Sequence, residues 1–307
     1  MIWFKKAPIV IAFLIMAAAM LGCQPAASTG IPKKSIVVTY SIMGSLVKNL
    51  VGDKATVLVS VPNGLDPHEW EPSAKDIETI NKADLVVRNG LGLEGGMERA
   101  LDSARNSGVR MFIAADYITV RYVSSGEGIP ADDPDQAVGA ADPHLWMDPL
   151  ALKDVMGGLA EKLKTAFNLD VDSRAASLEN ELIEINKQVA GMIDTIPPEN
   201  RKLVTGHESM GYFAQRYGLK LVGVIIPSLS TQAVVSANDL AVLKKAILDN
   251  RVKAIFTELG TSPSVAKAIG DETGVKVVQL STHTLPEDGS YFSFMKNLAG
   301  AISGALK

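Results

Sequence analysis

From Ser35 onward, short β-branched runs alternate with stretches of helical period, and this alternation constrains the fold more than any other feature of the chain. A chain of βα units buries both faces of its strands, so it points to an α/β fold with mostly parallel sheets flanked by helices. The predicted strands fall into two groups of four, at 35–39, 56–61, 85–88 and 111–115, then at 202–205, 219–224, 254–257 and 275–280. Between the groups, 149–167 and 172–196 read as helices. In the second of these, Leu178, Leu182, Ile185, Val189, Met192 and Ile196 form one apolar stripe with steps of four and three residues. At 1.5 Å per residue this helix would run about 37 Å, long for a βαβ crossover, and Pro197-Pro198 ends it. It reads as a stiff strut, 171–198, joining an N-terminal lobe (35–170) to a C-terminal lobe (199–307), each with its own four-stranded sheet.

The first 34 residues stand outside this pattern. Lys5 and Lys6 precede an uncharged stretch from Ala7 to Gly22, too short to span a bilayer comfortably, which marks 1–22 as a signal peptide. It ends at Met20-Leu21-Gly22-Cys23, similar to the bacterial lipobox, in which the thiol is acylated after cleavage. Cys23 is the only cysteine, so no disulfide framework or multi-thiolate metal site is available. A lipid anchor at Cys23 is expected, with an incidental thiol as the alternative. Residues 23–34, rich in Pro, Ala, Ser and Gly, then serve as a tether. With 30 basic against 34 acidic residues and no basic run, nothing in the chain suits a nucleic acid.

The chemistry lies in the histidines, of which there are four. His207 follows a predicted strand by two residues and His283 follows another by three, while His68 and His144 lie in Pro-punctuated loops of the first half. Ligands of open α/β sheets bind outside the carboxyl ends of the strands, so two histidines from each lobe are expected to meet across one cleft. Asp66-Pro67-His68 and Asp142-Pro143-His144 repeat one tripeptide, and proline narrows the backbone just ahead of a ring that must be aimed. Imidazole suits zinc, copper, nickel and iron, whereas manganese prefers oxygen donors. Four neutral imidazoles would leave the charge of a divalent ion to nearby carboxylates, for which Glu69, Asp148, Glu208 and Glu258 are candidates, with Asp288 a further group that could approach the metal.

The segments DPHEWEPSAKDI, NGLGLE, DPHLWMDP, GHESMGYFAQRYGL, IFTELGTSPSVAKAIGDETG and SYFSFMKNL occur in this order from about Ser35 to the C-terminus. Together they resemble the zinc/manganese-type metal-binding solute-binding lipoproteins of bacterial ABC importers. The resemblance implies two α/β lobes joined by a rigid helix and one metal ion held between them. It implies a monomer, lipid-anchored on the outer face of the cytoplasmic membrane or periplasmic, which delivers its ion to a permease and its ATPase. His68, His144 and His207 fall on the first three ligand positions, the third matching the His of zinc importers rather than the Glu common in manganese ones. His283 falls on the fourth, where the family usually has Asp. The loop 124–142 carries Glu127, Asp132, Asp133, Asp135 and Asp142 but lacks the His repeats of many zinc-type members. The cargo implied is Zn2+, with Mn2+ or Fe2+ as alternatives.

Two other readings compete. Gly90-Leu91-Gly92-Leu93-Glu94-Gly95 has the G-x-G-x-x-G form of a dinucleotide site, but Glu94 would put a negative charge beside the pyrophosphate and the unit is the third strand of its lobe, so a tight strand-to-helix turn is expected. A zinc hydrolase would need three His and an open position bearing water; the chain has no H-E-x-x-H pair and only Glu208 beside His207 as a base, so no enzyme is expected. Trp70, Trp146, Tyr212, Phe213 and Tyr291 fall near the His segments, as core packing or as walls of the site.

Overall fold

Each of the eight β-branched runs becomes a strand, and all the strand pairs are parallel, as a βα chain requires. The computed structural model describes residues 33–124, 127 and 139–307. The signal segment 1–22, Cys23, the tether up to residue 32, and Asp132, Asp133 and Asp135 lie outside the described residues. Lys34–Lys307 is one compact unit. Among the described residues no helix is long and apolar enough to cross a membrane.

The first half forms a four-stranded sheet in the order β2-β1-β3-β4, from β1 (Lys34–Tyr40), β2 (Ala55–Val61), β3 (Leu85–Arg88) and β4 (Arg110–Ile113). Helices α1 (Ser41–Val51), α2 (Ala74–Asn81) and α3 (Glu98–Asn106) connect these strands. β4 stops short of the predicted 115 because Ala114–Tyr117 coils into a 3-10 turn. In the second half, β5 (Lys202–Thr205) pairs with β6 (Lys220–Val224), the two joined through α6 (Gly211–Tyr217), and β7 (Ala254–Thr257) pairs with β8 (Lys276–Gln279). These are two parallel pairs, with β5 and β7 side by side, instead of one unbroken ladder. A slip of register between Leu203 and Val204 marks a bulge in β5.

The period of two along β5 and β7 explains how this second sheet is covered. Leu203, Ala254 and Phe256 join the large core, which continues through the first half and the last helix, α9 (Tyr291–Leu306). Val204 and Ile255 point the other way, into a smaller core with Leu243 and Ile247 of α7 (Ala237–Asp249) and Ala266 and Ile269 of α8 (Pro263–Thr273).

The long helix is α5, Asp172–Asp194, of 23 residues and so roughly 34 Å long. It follows α4 (Pro149–Phe167) and packs on α1, α4 and α9. Its buried stripe is Leu178, Leu182, Ile185, Val189 and Ile193. Ile193 replaces the predicted Met192 because a 3.6-residue period drifts off a strict alternation of four and three. Met192 sits half-buried beside Gly300 of α9, its Cε 3.8 Å from where a Cβ there would lie. The helix stops before Ile196, where Arg201 takes the orphan carbonyls, donating from Nη2 to Asp194 O (3.2 Å) and from Nε to Ile196 O (3.1 Å).

α2 begins just beyond the first Asp-Pro-His loop and fixes the loop's exit with a capping box. The Asp76 N–H donates to Ser73 Oγ, and the Ser73 N–H donates to Asp76 Oδ2 at 2.9 Å. Ser73→Ala removes the first of these bonds and is expected to cost about 1 kcal/mol, read as a lower denaturation midpoint. An unchanged midpoint would show that the cap does not hold this loop.

Candidate metal centre

The two Asp-Pro-His triads build the same local device. Proline has no N–H, so the Asp carboxylate reaches over it to the next amide: Asp66 Oδ1 accepts from the His68 N–H and Asp142 Oδ1 from the His144 N–H, each at 2.9 Å. The second carboxylate oxygen then ties each triad to a neighbour. Asp66 Oδ2 accepts from Thr231 Oγ1 at 2.7 Å, and Asp142 Oδ2 from Arg121 Nη1 at 2.9 Å. Thr231 lies in the second half of the chain, so the loop bearing His68 is held from the opposite side.

His207 lies two residues past the carboxyl end of β5, as expected. The turn that delivers it has no space for a side chain at Gly206, where a Cβ would stand 2.1 Å from Thr261 Oγ1 and 2.6 Å from Glu258 Cγ. This close approach lets Glu258, just beyond β7, accept the His207 N–H on Oε1 at 2.9 Å. His207 Nδ1 is also 3.0 Å from that oxygen, without the alignment of a full hydrogen bond. His283 comes four residues after β8, one more than predicted, because the strand ends at Gln279.

The four imidazoles converge. All are buried, and one nitrogen from each lies within 4.8 Å of the others. His144 Nε2 is 3.2 Å from Nε2 of His68 and 3.2 Å from Nε2 of His207. Nitrogens around a tetrahedral zinc with bonds of about 2.0–2.1 Å are spaced roughly 3.3–3.4 Å apart, so the spacing suits one small ion. His283 Nε2 is buried with no hydrogen-bond partner.

The outer nitrogens are held in place. His144 Nδ1 lies 2.9 Å from Asp142 Oδ1, and His283 Nδ1 lies 2.9 Å from Thr282 Oγ1. Thr282 Oγ1 in turn donates to Glu258 Oε2, which also accepts from Ser209 Oγ at 2.7 Å. The ring of Trp146 stands 5.2 Å from those of both His144 and His283, its Nε1 donating to Thr282 O and its carbonyl accepting from Tyr291 Oη, each at 2.9 Å. Trp146 therefore walls the cluster, and Tyr291 holds Trp146 from behind. Tyr212 Oη instead accepts from the Arg121 N–H, beneath Asp142.

Burial first, and then the neighbouring imidazoles, holds His68, His144 and His283 well below the usual histidine range, in the neutral form that binds metals. Burial acts the same way on His207, but the Glu258 carboxylate outweighs it and the balance is upward. Glu258 resists the upward push of its own burial because His207 and its hydrogen bonds favour the anion, which keeps it below the usual carboxylate range. Burial raises Asp142 to about 6 against the pull of Arg121.

Of the carboxylates expected near the cluster, Glu258 alone makes this contact. Asp148 caps α4 through Leu150 N and pairs with Arg216. Glu69 is exposed, and Glu208 is buried with neither oxygen hydrogen-bonded, so burial pushes its carboxyl well up. Asp288 is exposed and bound to Ser290 N and Ser293 Oγ at the start of α9, away from the cluster. Asp142 and Thr282 were missed as partners of the rings. The Asp two residues ahead of His in both triads was the available signal for the first; Thr282 had none. In the glycine-rich turn, the Glu94 carboxylate accepts from the N–H groups of Asn89 and Gly90 and from Thr39 Oγ1, so the chain's own anion fills the place a pyrophosphate would take.

A family profile described as zinc-uptake complex component A, periplasmic, matches residues 36–305. The manganese ABC transporter substrate-binding lipoprotein PsaA of Streptococcus anginosus is 25% identical over 318 residues, covering 99% of this chain and 100% of its own. The zinc-binding protein TroA of Treponema pallidum is 28% identical over 288 residues, covering 92% and 86%. A solved structure of TroA superposes with a TM-score of 0.77 at 24% identity over 89% of this chain and 99% of that one, which establishes the shared α/β fold.

Proposed function

From the premise that this chain belongs to the ZnuA family of periplasmic zinc-uptake components, we propose that it captures zinc outside the cytoplasmic membrane and hands it to an ABC permease driven by an ATPase. It is a metal-binding, substrate-binding transport protein of the ABC type and not an enzyme. On our reading His68, His144, His207 and His283 hold the ion, with two of them from each half of the chain. The leader 1–22 is removed, Cys23 carries the lipid, 23–34 is the tether, and 171–198 joins the lobes 35–170 and 199–307.

One observation carries the choice of zinc: among the described residues the converging donors are four nitrogens, with no carboxylate oxygen. Manganese favours oxygen and near-octahedral sites, whereas a closed tetrahedral nitrogen set suits zinc. The same feature disfavours a hydrolase, which would keep one position open for water, with a base in reach of it. Neither carboxylate next to a ring in sequence supplies that base: Glu69 is exposed, and Glu208 is not among the groups bonded to the cluster.

Metal-free protein lacking its leader, offered zinc and manganese at equal concentration, is expected to retain one zinc per chain and little manganese, as measured by elemental analysis after desalting. Retention of manganese in place of zinc would overturn this reading.

A further inference from the structure

Glu258 gathers hydrogen bonds from three directions. Its Oε1 accepts the His207 N–H at 2.9 Å, and its Oε2 accepts the Ser209 hydroxyl at 2.7 Å and the Thr282 hydroxyl. A threonine hydroxyl has one proton to give. With that proton on Glu258, Thr282 Oγ1 can only accept from its other neighbour, His283 Nδ1, 2.9 Å away. The ring proton of His283 is thereby placed on Nδ1 and the lone pair on Nε2. Nε2 is the atom that is buried without a partner among the four converging nitrogens. Thr282 itself is only 1% exposed, and its carbonyl is pinned by Trp146 Nε1 at 2.9 Å, so the hydroxyl has no solvent to turn to.

We propose that Thr282 is a positioning residue that sets the tautomer of His283, presenting Nε2 to the ion, and that the Glu258–Thr282 bond joins His207 and His283 into one unit. The inference rests on the reading of His283 as a zinc ligand and adds to it what makes an imidazole usable at a position the family usually gives to Asp. A carboxylate there would need no tautomer choice, since either oxygen can bind. An imidazole in the wrong tautomer would present an N–H to the ion and no lone pair.

The test begins with metal-free protein carrying 15N-labelled histidine at pH 7.5, with the His283 ring identified by its loss in His283→Gln. Long-range 1H–15N correlation is expected to show the Nδ1–H form in the wild type and in Thr282→Ser, and a substantial Nε2–H population in Thr282→Val. Zinc affinity, measured by competition with a chromophoric chelator, is expected to fall about 10-fold or more in Thr282→Val and to stay within about 3-fold of wild type in Thr282→Ser. The serine variant separates the hydroxyl from any packing defect in the valine variant. A wild-type ring in the Nε2–H form overturns the proposal, and so does a valine variant with unchanged tautomer or unchanged affinity. Because the tautomer is read before any metal is added, a wild-type protein that took manganese over zinc would defeat the functional reading while leaving the tautomer result standing.

Discussion

His144→Ala is expected to weaken zinc binding by about 10²–10³-fold while leaving the protein folded. His144 is the central ring of the cluster, with Nε2 at 3.2 Å from both His68 and His207 and its other nitrogen fixed through Asp142 to Arg121. Binding energies of about 10–16 kcal/mol for closed zinc sites, shared over four ligands, put about 2.5–4 kcal/mol on each, which is the factor stated. The fold should survive because Asp142 keeps two of its partners, the Arg121 guanidinium and the backbone N–H of residue 144, when the ring is removed. Titration of the metal-free variant against a chelator of known affinity measures the loss. A change of less than about 3-fold would mean that the ion, wherever it binds, is not held at this convergence.

The fold was legible in the sequence wherever local pattern and burial agree. A strand buried on both faces needs an unbroken β-branched run, and Leu85–Arg88, Lys202–Thr205 and Ala254–Thr257 coincide with their predicted runs at both ends. Disagreement is confined to places where tertiary packing decides. Ala115 reads as the end of a strand but lies in the 3-10 turn that closes β4, and Ile193 takes the buried place that a 4-3 stripe assigns to Met192. The break between β5 and β7 left no mark on the sequence, since both strands keep the alternation that feeds the two cores.

The site was legible in its ring positions and not in its supports. Chain topology places residues just past strand ends at one edge, so His207 and His283 were assignable from spacing, and the repeated triad drew attention to His68 and His144. What orients the rings comes from far along the chain: Glu258 is 51 residues from His207, and Thr231 is 165 from Asp66. No spacing rule connects such pairs, and the acids nearest in sequence, Glu69 and Glu208, proved to be the wrong ones. Of the acids expected beside the rings, only Glu258, picked out for its strand-end position, reached the cluster, while Asp142 did so without having been expected.

Acidification is expected to weaken zinc binding by about tenfold per pH unit once the pH falls below the raised value of His207. The sign follows from which rings carry protons before the ion arrives. Zinc needs neutral imidazole, and His68, His144 and His283 are already neutral to well below 6.5 because burial and their neighbours disfavour the cation. They release nothing on binding near neutral pH. His207 differs: burial alone would lower it, but the Glu258 carboxylate holds it up, so this one ring stays protonated to above 6.5 and must give up its proton to the ion. Four rings with ordinary behaviour would show a slope approaching four decades per unit below 6.5, and none above it. Here the slope begins earlier and stays near one, until Asp142, which burial raises to about 6, takes up a second proton beside His144 and steepens it. Calorimetric titrations in buffers of different ionisation enthalpy count the protons directly, and one per zinc is expected at a pH where His207 alone among the four rings carries its proton. Three or four released protons, or an affinity flat down to pH 6, would contradict this assignment and with it the role given to Glu258. Glu258→Gln supplies the decisive comparison, since without the carboxylate His207 should join the other three rings and the pH dependence above 6.5 should disappear.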